Sequence, residues 1–282
     1  MTEFDEVPIQ FASTLVLIDD RPDLHVFMMR RNARSVFVGD MWMFPGGGLD
    51  PQDSQADIAD RCRGLTDEAA TRRLEIETDG LAWWIAALRE TYEEAGVLLA
   101  SHATAAAIDA ATAERLEEHR VRVEAAHHSF ADVLREEGLR LELADMHYIA
   151  RWITPQPSPR RYDTRFFLAA MPPGQTARHD NREAVHSEWI RPADALEEWA
   201  RGEMSMLPPT RGVLQLLATY EHSADTLADA AAQQDDRDRP IKRLGSELDD
   251  RLVLPGDDDY EHPDAVPLVA WARVVANPPT LP

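Results

Sequence analysis

Three carboxylates crowd one short stretch of the chain, Arg89-Glu90-Thr91-Tyr92-Glu93-Glu94-Ala95-Gly96. Glu90 lies three residues before Glu93 and four before Glu94, so on a helix all three project from one side. Arg89 and Glu93 are also four apart and can pair. Three anions this close repel one another, and a divalent cation reverses that. Hard oxygen ligands suit Mg²⁺ or Mn²⁺, which keep some of their waters and bind substrate phosphates.

Such a cluster does chemistry only if something holds it still. Leu81, Trp84, Ile85, Leu88, Tyr92 and Ala95 recur at helical spacing, which predicts a helix over residues 81–99 with Gly96 near its end. Its apolar face must be packed, so its glutamates are positioned. Upstream, the apolar run 41–44 stops at Pro45-Gly46-Gly47-Gly48. Glycines permit positive φ and close approach to a ligand, so this turn can offer backbone carbonyls to the same ion.

The remaining elements follow from periodicity and turn residues. Strands are predicted over residues 11–18, 24–29, 146–153, 164–169 and 185–190. Residues 53–79 are polar and mostly helical in character, with Ser54 and Thr66 as N-caps. Further helices are predicted within 104–137 and over 192–201, 211–220 and 224–233. Weaker strand patterns fall at 241–244, 252–254 and 269–275. The mixed order predicts an α+β fold in one domain spanning 1–282. Helical insertions are expected at about 53–80 and 100–140, and a C-terminal extension from about 235.

Bulk properties narrow the function. The chain has 282 residues, 44% of them hydrophobic, enough to bury a core. Its net charge of −22 argues against nucleic acid as a partner. The single cysteine, Cys62, excludes an intramolecular disulfide and a cysteine zinc site. No glycine elbow or neighbouring histidine makes it a nucleophile, so it is read as packing. Residues 1–10 lack the basic start and apolar run of a signal peptide, and no apolar stretch reaches the length of a membrane span. A soluble cytoplasmic protein with no membrane partner is expected.

In so acidic a chain, two arginine clusters stand out as forked phosphate donors: Arg30, Arg31 and Arg34, and Arg160, Arg161 and Arg165. Trp42 and Tyr162 can stack on a base, although core packing is the plainer reading of each. His147, His179 and His186 show no ligand spacing.

The run R-E-x-x-E-E-x-G resembles the second half of the Nudix box, and Phe44-Pro45-Gly46-Gly47 resembles the entrance to its first half. The resemblance implies the Nudix fold, a mixed β-sheet sandwiched between α-helices. It implies that Glu90, Glu93 and Glu94 ligate metal, with a carbonyl of the Gly46-Gly47 turn. Arg89 then orients the glutamates through a salt bridge, and Glu90 or Glu93 acts as the base. The spacing departs from the family: roughly forty residues separate Gly47 from Arg89. The family's first box glutamate falls eight positions before Arg89, where this chain has Leu81. That carboxylate is absent or comes from elsewhere, from Asp50 or Asp53.

An insertion at this point, the Gly-Gly-x-Leu-Asp start, the run Ala86-Ala87-Leu88-Arg89-Glu90-Thr91, the segment from Arg30 to Gly39, and the later Arg161 to Phe167 and Leu207 to Thr210 resemble one subgroup. It is the peroxisomal coenzyme A diphosphatase-like group, and the likeness spans about 11–217. It implies hydrolysis of the diphosphate of coenzyme A or acyl-CoA, giving 4′-phosphopantetheine and adenosine 3′,5′-bisphosphate. Arg30 and Arg34 are the residues implied for the substrate, with Arg161 and Arg165 beside them. The alternatives are a Nudix pyrophosphatase for ADP-ribose, a nucleotide sugar or a dinucleotide, and a nucleotide-sensing module without catalysis. A homodimer is frequent in the family.

Overall fold

The structure, a computed structural model, describes residues 7–33, 39–124, 127–232, 239–246 and 249–272. Strands β1 (Ile9–Asp20) and β2 (Leu24–Arg31) pair as an antiparallel hairpin. Successive strand residues point to opposite faces, and here both faces are buried. Leu15, Leu17, Phe27 and Met29 enter one core, and Val16, Ile18, Val26 and Met28 enter the other. Strand β3 (Trp42–Met43) pairs with β2, and β4 (Gly46–Gly48) pairs with β1.

A 3₁₀ turn (Pro51–Ser54) and helix α1 (Ala56–Ala59) follow. Strand β5 (Cys62–Arg63) and helix α2 (Asp67–Leu74) lead to α3 (Gly80–Ala95). Next come β6 (Ala100–His102), α4 (Ala110–Glu124), α5 (Phe130–Glu136) and β7 (Leu139–Glu142). Strands β8 (His147–Ile153), β9 (Arg161–Ala170) and β10 (Ala184–Ile190) return to the main sheet. Helices α6 (Pro192–Ala200), α7 (Pro208–Leu217) and α8 (Ser223–Ala232) precede β11 (Arg239–Ser246), β12 (Asp249–Val253) and β13 (Val266–Ala272).

The main sheet runs β10-β2-β1-β9-β8-β13-β11-β12, with β3 and β4 attached to β2 and β1. Among the described residues only β1 and β9 pair in parallel within it, over Ile9 to Ile18. One face is covered by α3, whose Trp84, Ile85, Leu88 and Tyr92 are buried with Leu15 and Phe167. The opposite face is covered by α6, α7 and α8, through Ala195, Leu214, Leu217 and Ala230. The fold is therefore a mixed sheet between helical layers. Among the described residues no helix is long and apolar enough to cross a membrane.

The structure revises several expectations. Residues 53–80 hold less helix than expected: a single 3₁₀ turn, four residues of α1 and eight of α2. Thr66 caps α2 by accepting from the Ala69 amide, whereas Ser54 ends the 3₁₀ turn that Asp50 caps. The second insertion holds two helices and also β6 and the start of β7, which join β5 of the first insertion in a separate three-stranded sheet. Strands two to four residues long carry no readable alternation. Helix α3 stops at Ala95, where Gly96 takes φ of +70° and closes the last turn. In the C-terminal extension, β13 pairs with β8 and continues the main sheet.

Candidate active site

Buried aliphatic and aromatic residues fix one face of α3, and this turns Glu90, Glu93 and Glu94 toward β4, with Glu90 and Glu93 partly exposed and Glu94 buried. Arg89 ties the cluster together. Its guanidinium donates to Glu90 at 2.8 Å and lies 3.5 Å from Glu93. It also donates to the Gly48 carbonyl at 2.9 Å, joining the helix to the glycine strand.

The remaining face of Arg89 meets Asp53. Nε donates to Oδ1 at 2.8 Å and Nη2 to Oδ2 at 3.0 Å. Both side chains are out of solvent, at 5% and 0% exposure. Asp53 is held in turn by a capping box, in which its Oδ2 accepts from the Asp50 amide at 2.8 Å and Asp50 accepts from Gln52 at 2.9 Å. Of the two aspartates considered for the missing carboxylate, Asp53 faces Arg89 and Asp50 positions Asp53. The signal lay in the forward count: Asp53 stands six positions after Gly47, ahead of the insertion. Counting back from Arg89 crosses the insertion and reaches Leu81, which is buried in the core.

The glycines serve close approach. None of Gly46, Gly47 and Gly48 has positive φ; they form the extended strand β4 against Ala12, Ser13 and Thr14. A Cβ on Gly47 would lie 2.5 Å from the Glu90 carboxyl carbon, and one on Gly46 would strike the Ser13 carbonyl oxygen at 2.5 Å. The Gly46 amide donates to Glu94 at 2.8 Å. Only glycine lets the strand come this near the carboxylates.

Charge at the site is unbalanced. Burial pushes the Glu93 carboxyl up to about 7, opposed by Arg89 and reinforced by Glu90. Burial and then Glu90 push Glu94 well above the usual carboxylate range, against the Gly46 bond. Glu90 is also raised by burial, with Arg89 opposing. For Arg89, burial disfavours the charge, but the Asp53 bonds and Glu90 outweigh it and hold the group above its ordinary pKa. Arg89 thus serves three carboxylates, Asp53, Glu90 and Glu93, while among the described residues Glu94 has only the Gly46 amide as a hydrogen-bond donor. The surplus negative charge, all on hard oxygen atoms, fits a divalent cation.

Beside Glu94 lies a crevice lined by Met29, Arg31, Met43, Glu94, Glu183 and Ala184. Arg31 pairs with Glu183 at 3.2 Å. The negative charge of Glu183 contributes to raising both Glu90 and Glu94. The structure thus brings Arg31 to the carboxylates, whereas Arg30, one residue earlier on β2, points to the other sheet face and lies 3.8 Å from Asp40. Arg34 lies outside the described residues. Arg165 shares the α3 face but is 1% exposed, donating to the Tyr148 hydroxyl at 3.2 Å beneath the Trp83 ring. Arg161 lies four residues up β9, about 13 Å along the strand, and donates to the Thr154 carbonyl. Trp42 is core, edge-on to His186.

Sequence reasoning missed Arg120 altogether. This buried arginine of α4 donates to the Glu93 carbonyl at 2.9 Å and the Glu94 carbonyl at 2.8 Å. It neutralises the orphan carbonyls at the C-terminus of α3, where the helix dipole favours a cation.

A family model described as the NUDT19 Nudix domain matches residues 65–216, more than half of the chain. The chain belongs to that family. As a Nudix hydrolase it shares a fold whose members generally use divalent metals on small nucleotide-like substrates. It is 24% identical over 280 residues to the acyl-coenzyme A diphosphatase NUDT19 of Xenopus laevis, covering 86% of this chain and 73% of that protein. The acyl-coenzyme A diphosphatase NUDT19 of Gallus gallus is 28% identical over 284 residues, covering 86% and 74%. Among solved structures, a NUDIX hydrolase from Alicyclobacillus acidocaldarius superposes with a TM-score of 0.63 at 28% identity, covering 79% of this chain and 97% of that one. The family match begins after Asp53, so the glycine strand and its buried aspartate rest on geometry.

Proposed function

We propose that this Nudix hydrolase cleaves the diphosphate of coenzyme A or acyl-CoA, releasing 4′-phosphopantetheine and adenosine 3′,5′-bisphosphate. What carries the reading is the α3 carboxylate cluster locked by Arg89 and Asp53, in a chain similar to acyl-coenzyme A diphosphatases over most of its length. Glu90, Glu93 and Glu94 would hold the cation, with the Gly46-Gly47 backbone beside them. Mg²⁺ or Mn²⁺ there would neutralise the diphosphate and lower the pKa of an attacking water. Glu94 is fixed by the Gly46 amide and Glu90 by Arg89, which leaves Glu93, the most open of the three, to take the proton of that water. The water oxygen forms a bond to one phosphorus as the bridging oxygen leaves on the other. Arg31 is the donor poised for the diphosphate, once it turns from Glu183.

A substrate panel with Mg²⁺ and with Mn²⁺ tests this. Coenzyme A, an acyl-CoA, ADP-ribose, a nucleotide sugar and a dinucleotide are compared, and products are separated chromatographically. Coenzyme A species should be hydrolysed best. Cleavage of ADP-ribose without cleavage of coenzyme A overturns the substrate. Unchanged turnover in both Glu93→Gln and Glu94→Gln, on every substrate cleaved, overturns the catalytic assignment.

A further inference from the structure

Away from α3, the junction of α4 and α5 gathers a second set of ligand atoms. Nitrogen and oxygen atoms of His119, His128 and Glu136 all lie within 4.8 Å of one another. His119 Nδ1 is 3.9 Å from Glu136 Oε2, and His128 Nε2 is 3.5 Å from the same oxygen. The His128 side chain is 5% exposed, and its Nε2 has no hydrogen-bond partner. A buried ring nitrogen left without a partner is costly, and here it aims at a carboxylate.

The surroundings resemble the supporting shell of a metal site. The other nitrogen of His119, Nε2, lies 3.2 Å from Glu137, which is itself gripped by Arg115. A carboxylate behind a ligating imidazole fixes its orientation and raises its basicity. The cluster already holds a cation of its own. Arg122 places one guanidinium nitrogen 3.4 Å from His119 Nδ1 and another 3.4 Å from His128 Nδ1, and it lies 3.7 Å from Glu136. Arg122 is half exposed and can swing to solvent. The two rings stack in parallel, 5.1 Å apart, so sharing an ion requires one of them to rotate.

We propose that His119, His128 and Glu136 form a second cation site, taking a borderline transition ion such as Zn²⁺ in place of the Arg122 guanidinium. Two imidazoles and a carboxylate match zinc chemistry, whereas the all-oxygen cluster on α3 matches magnesium. The site belongs to the insertion, and its His119 is the neighbour of Arg120, which caps the α3 carbonyls.

The test is Zn²⁺ binding to the full chain by equilibrium dialysis in excess Mg²⁺, which occupies α3. One Zn²⁺ per chain is expected. His128→Ala and Glu136→Gln should each weaken it by tenfold or more, and Glu137→Gln by about 10–100-fold. Arg122→Ala should tighten binding, because it removes the internal competitor; general damage to the fold has the opposite sign. Co²⁺ should show intense visible bands that Glu136→Gln removes and Glu93→Gln does not. Should His128→Ala fail to fold, the exposed Glu136 and Arg122 variants decide the matter. The proposal is overturned if no Zn²⁺ binds, if Glu136→Gln and Arg122→Ala leave binding unchanged, or if binding disappears only with the α3 glutamates.

Discussion

Replacing Asp53 by asparagine discriminates between the two positions from which a carboxylate could serve Arg89. Asp53 accepts three hydrogen bonds, two from Arg89 and one from the Asp50 amide. Asparagine can keep its one acceptor oxygen where Oδ2 accepts two of those bonds, but its amide then faces Arg89 Nε, so one bond to Arg89 is lost together with the charge. Charged bonds are worth about 1.5–3 kcal/mol each, and breaking a fully buried ion pair from one side costs about 3–5 kcal/mol. Arg89 keeps Glu90 and the Gly48 carbonyl, so the lower end, about 3 kcal/mol, is expected for Asp53→Asn.

Because the same guanidinium orients Glu90 and Glu93, a shift of about 1 Å in the cluster should lower turnover by about a hundredfold. Leu81→Glu in the same chain should restore nothing, because Leu81 is 5% exposed in the apolar core and a carboxylate there has no partner. Asp53→Glu keeps the charge but adds a methylene to a closed space, costing about 1–3 kcal/mol. Urea unfolding, Mn²⁺ affinity and turnover read these effects separately. If Asp53→Asn stays within about 0.5 kcal/mol of wild type and keeps Mn²⁺ affinity and turnover, the pair does not organise the site. Rescue by Leu81→Glu would refute the assignment of Asp53 outright.

Three further expectations follow from the side-chain directions. Arg31→Ala should raise KM by about tenfold or more, the value of a charged hydrogen bond, whereas Arg30→Ala on the opposite face should leave it within twofold; equal effects would sink the distinction. Arg120→Met should destabilise the fold and lower kcat, with guanidinium contacts to the Glu93 and Glu94 carbonyls lost; unfolding curves and Mn²⁺ titration check it, and unchanged values for both would remove its positioning role. Burial pushes the Cys62 thiol up to about 12, so the reactive thiolate is scarce at pH 8 and increases only as pH approaches that value. Native protein should resist iodoacetamide at pH 8, and rapid alkylation there would contradict the burial.

How much was legible turns on pattern. The amphipathic repeat from Leu81 to Ala95 was readable because one face is apolar and the other anionic, and the core holds all six predicted apolar positions. The choice between Arg30 and Arg31 was not. Strand β2 is apolar on both sides, with Phe27 and Met29 in one core and Val26 and Met28 in the other. With no polar face to break the alternation, parity along the strand carries no label in the sequence. Arg120 was hidden for another reason: what it reaches on α3 are backbone carbonyls, which leave no trace in residue types. Glu183 likewise reaches the site by strand order, since β10 lies next to β2 although their residues are some 150 positions apart.

The long insertion between the glycine strand and the carboxylate helix also has a physical reading. Lengthening a loop is cheap, about 0.6 kcal/mol for each doubling, so the cost lies in holding its two ends. The first end is held by the Asp50–Asp53 capping box and Arg89. The second is held by the insertion itself. Residue Asp79, at the start of α3, provides no side-chain cap. Instead α2 supplies the acceptors: Asp67 takes the Leu81 amide at 2.9 Å and Thr71 takes the Gly80 amide at 3.0 Å. Gly80 makes this possible, because a Cβ there would lie 2.1 Å from the Thr71 nitrogen. At the other end, the second insertion caps α3 through Arg120. The carboxylate-bearing helix is thus capped at both ends by inserted elements. Its glutamates depend for their position on segments that contribute no ligand, and trimming either insertion should disorder the carboxylates before it disturbs the sheet.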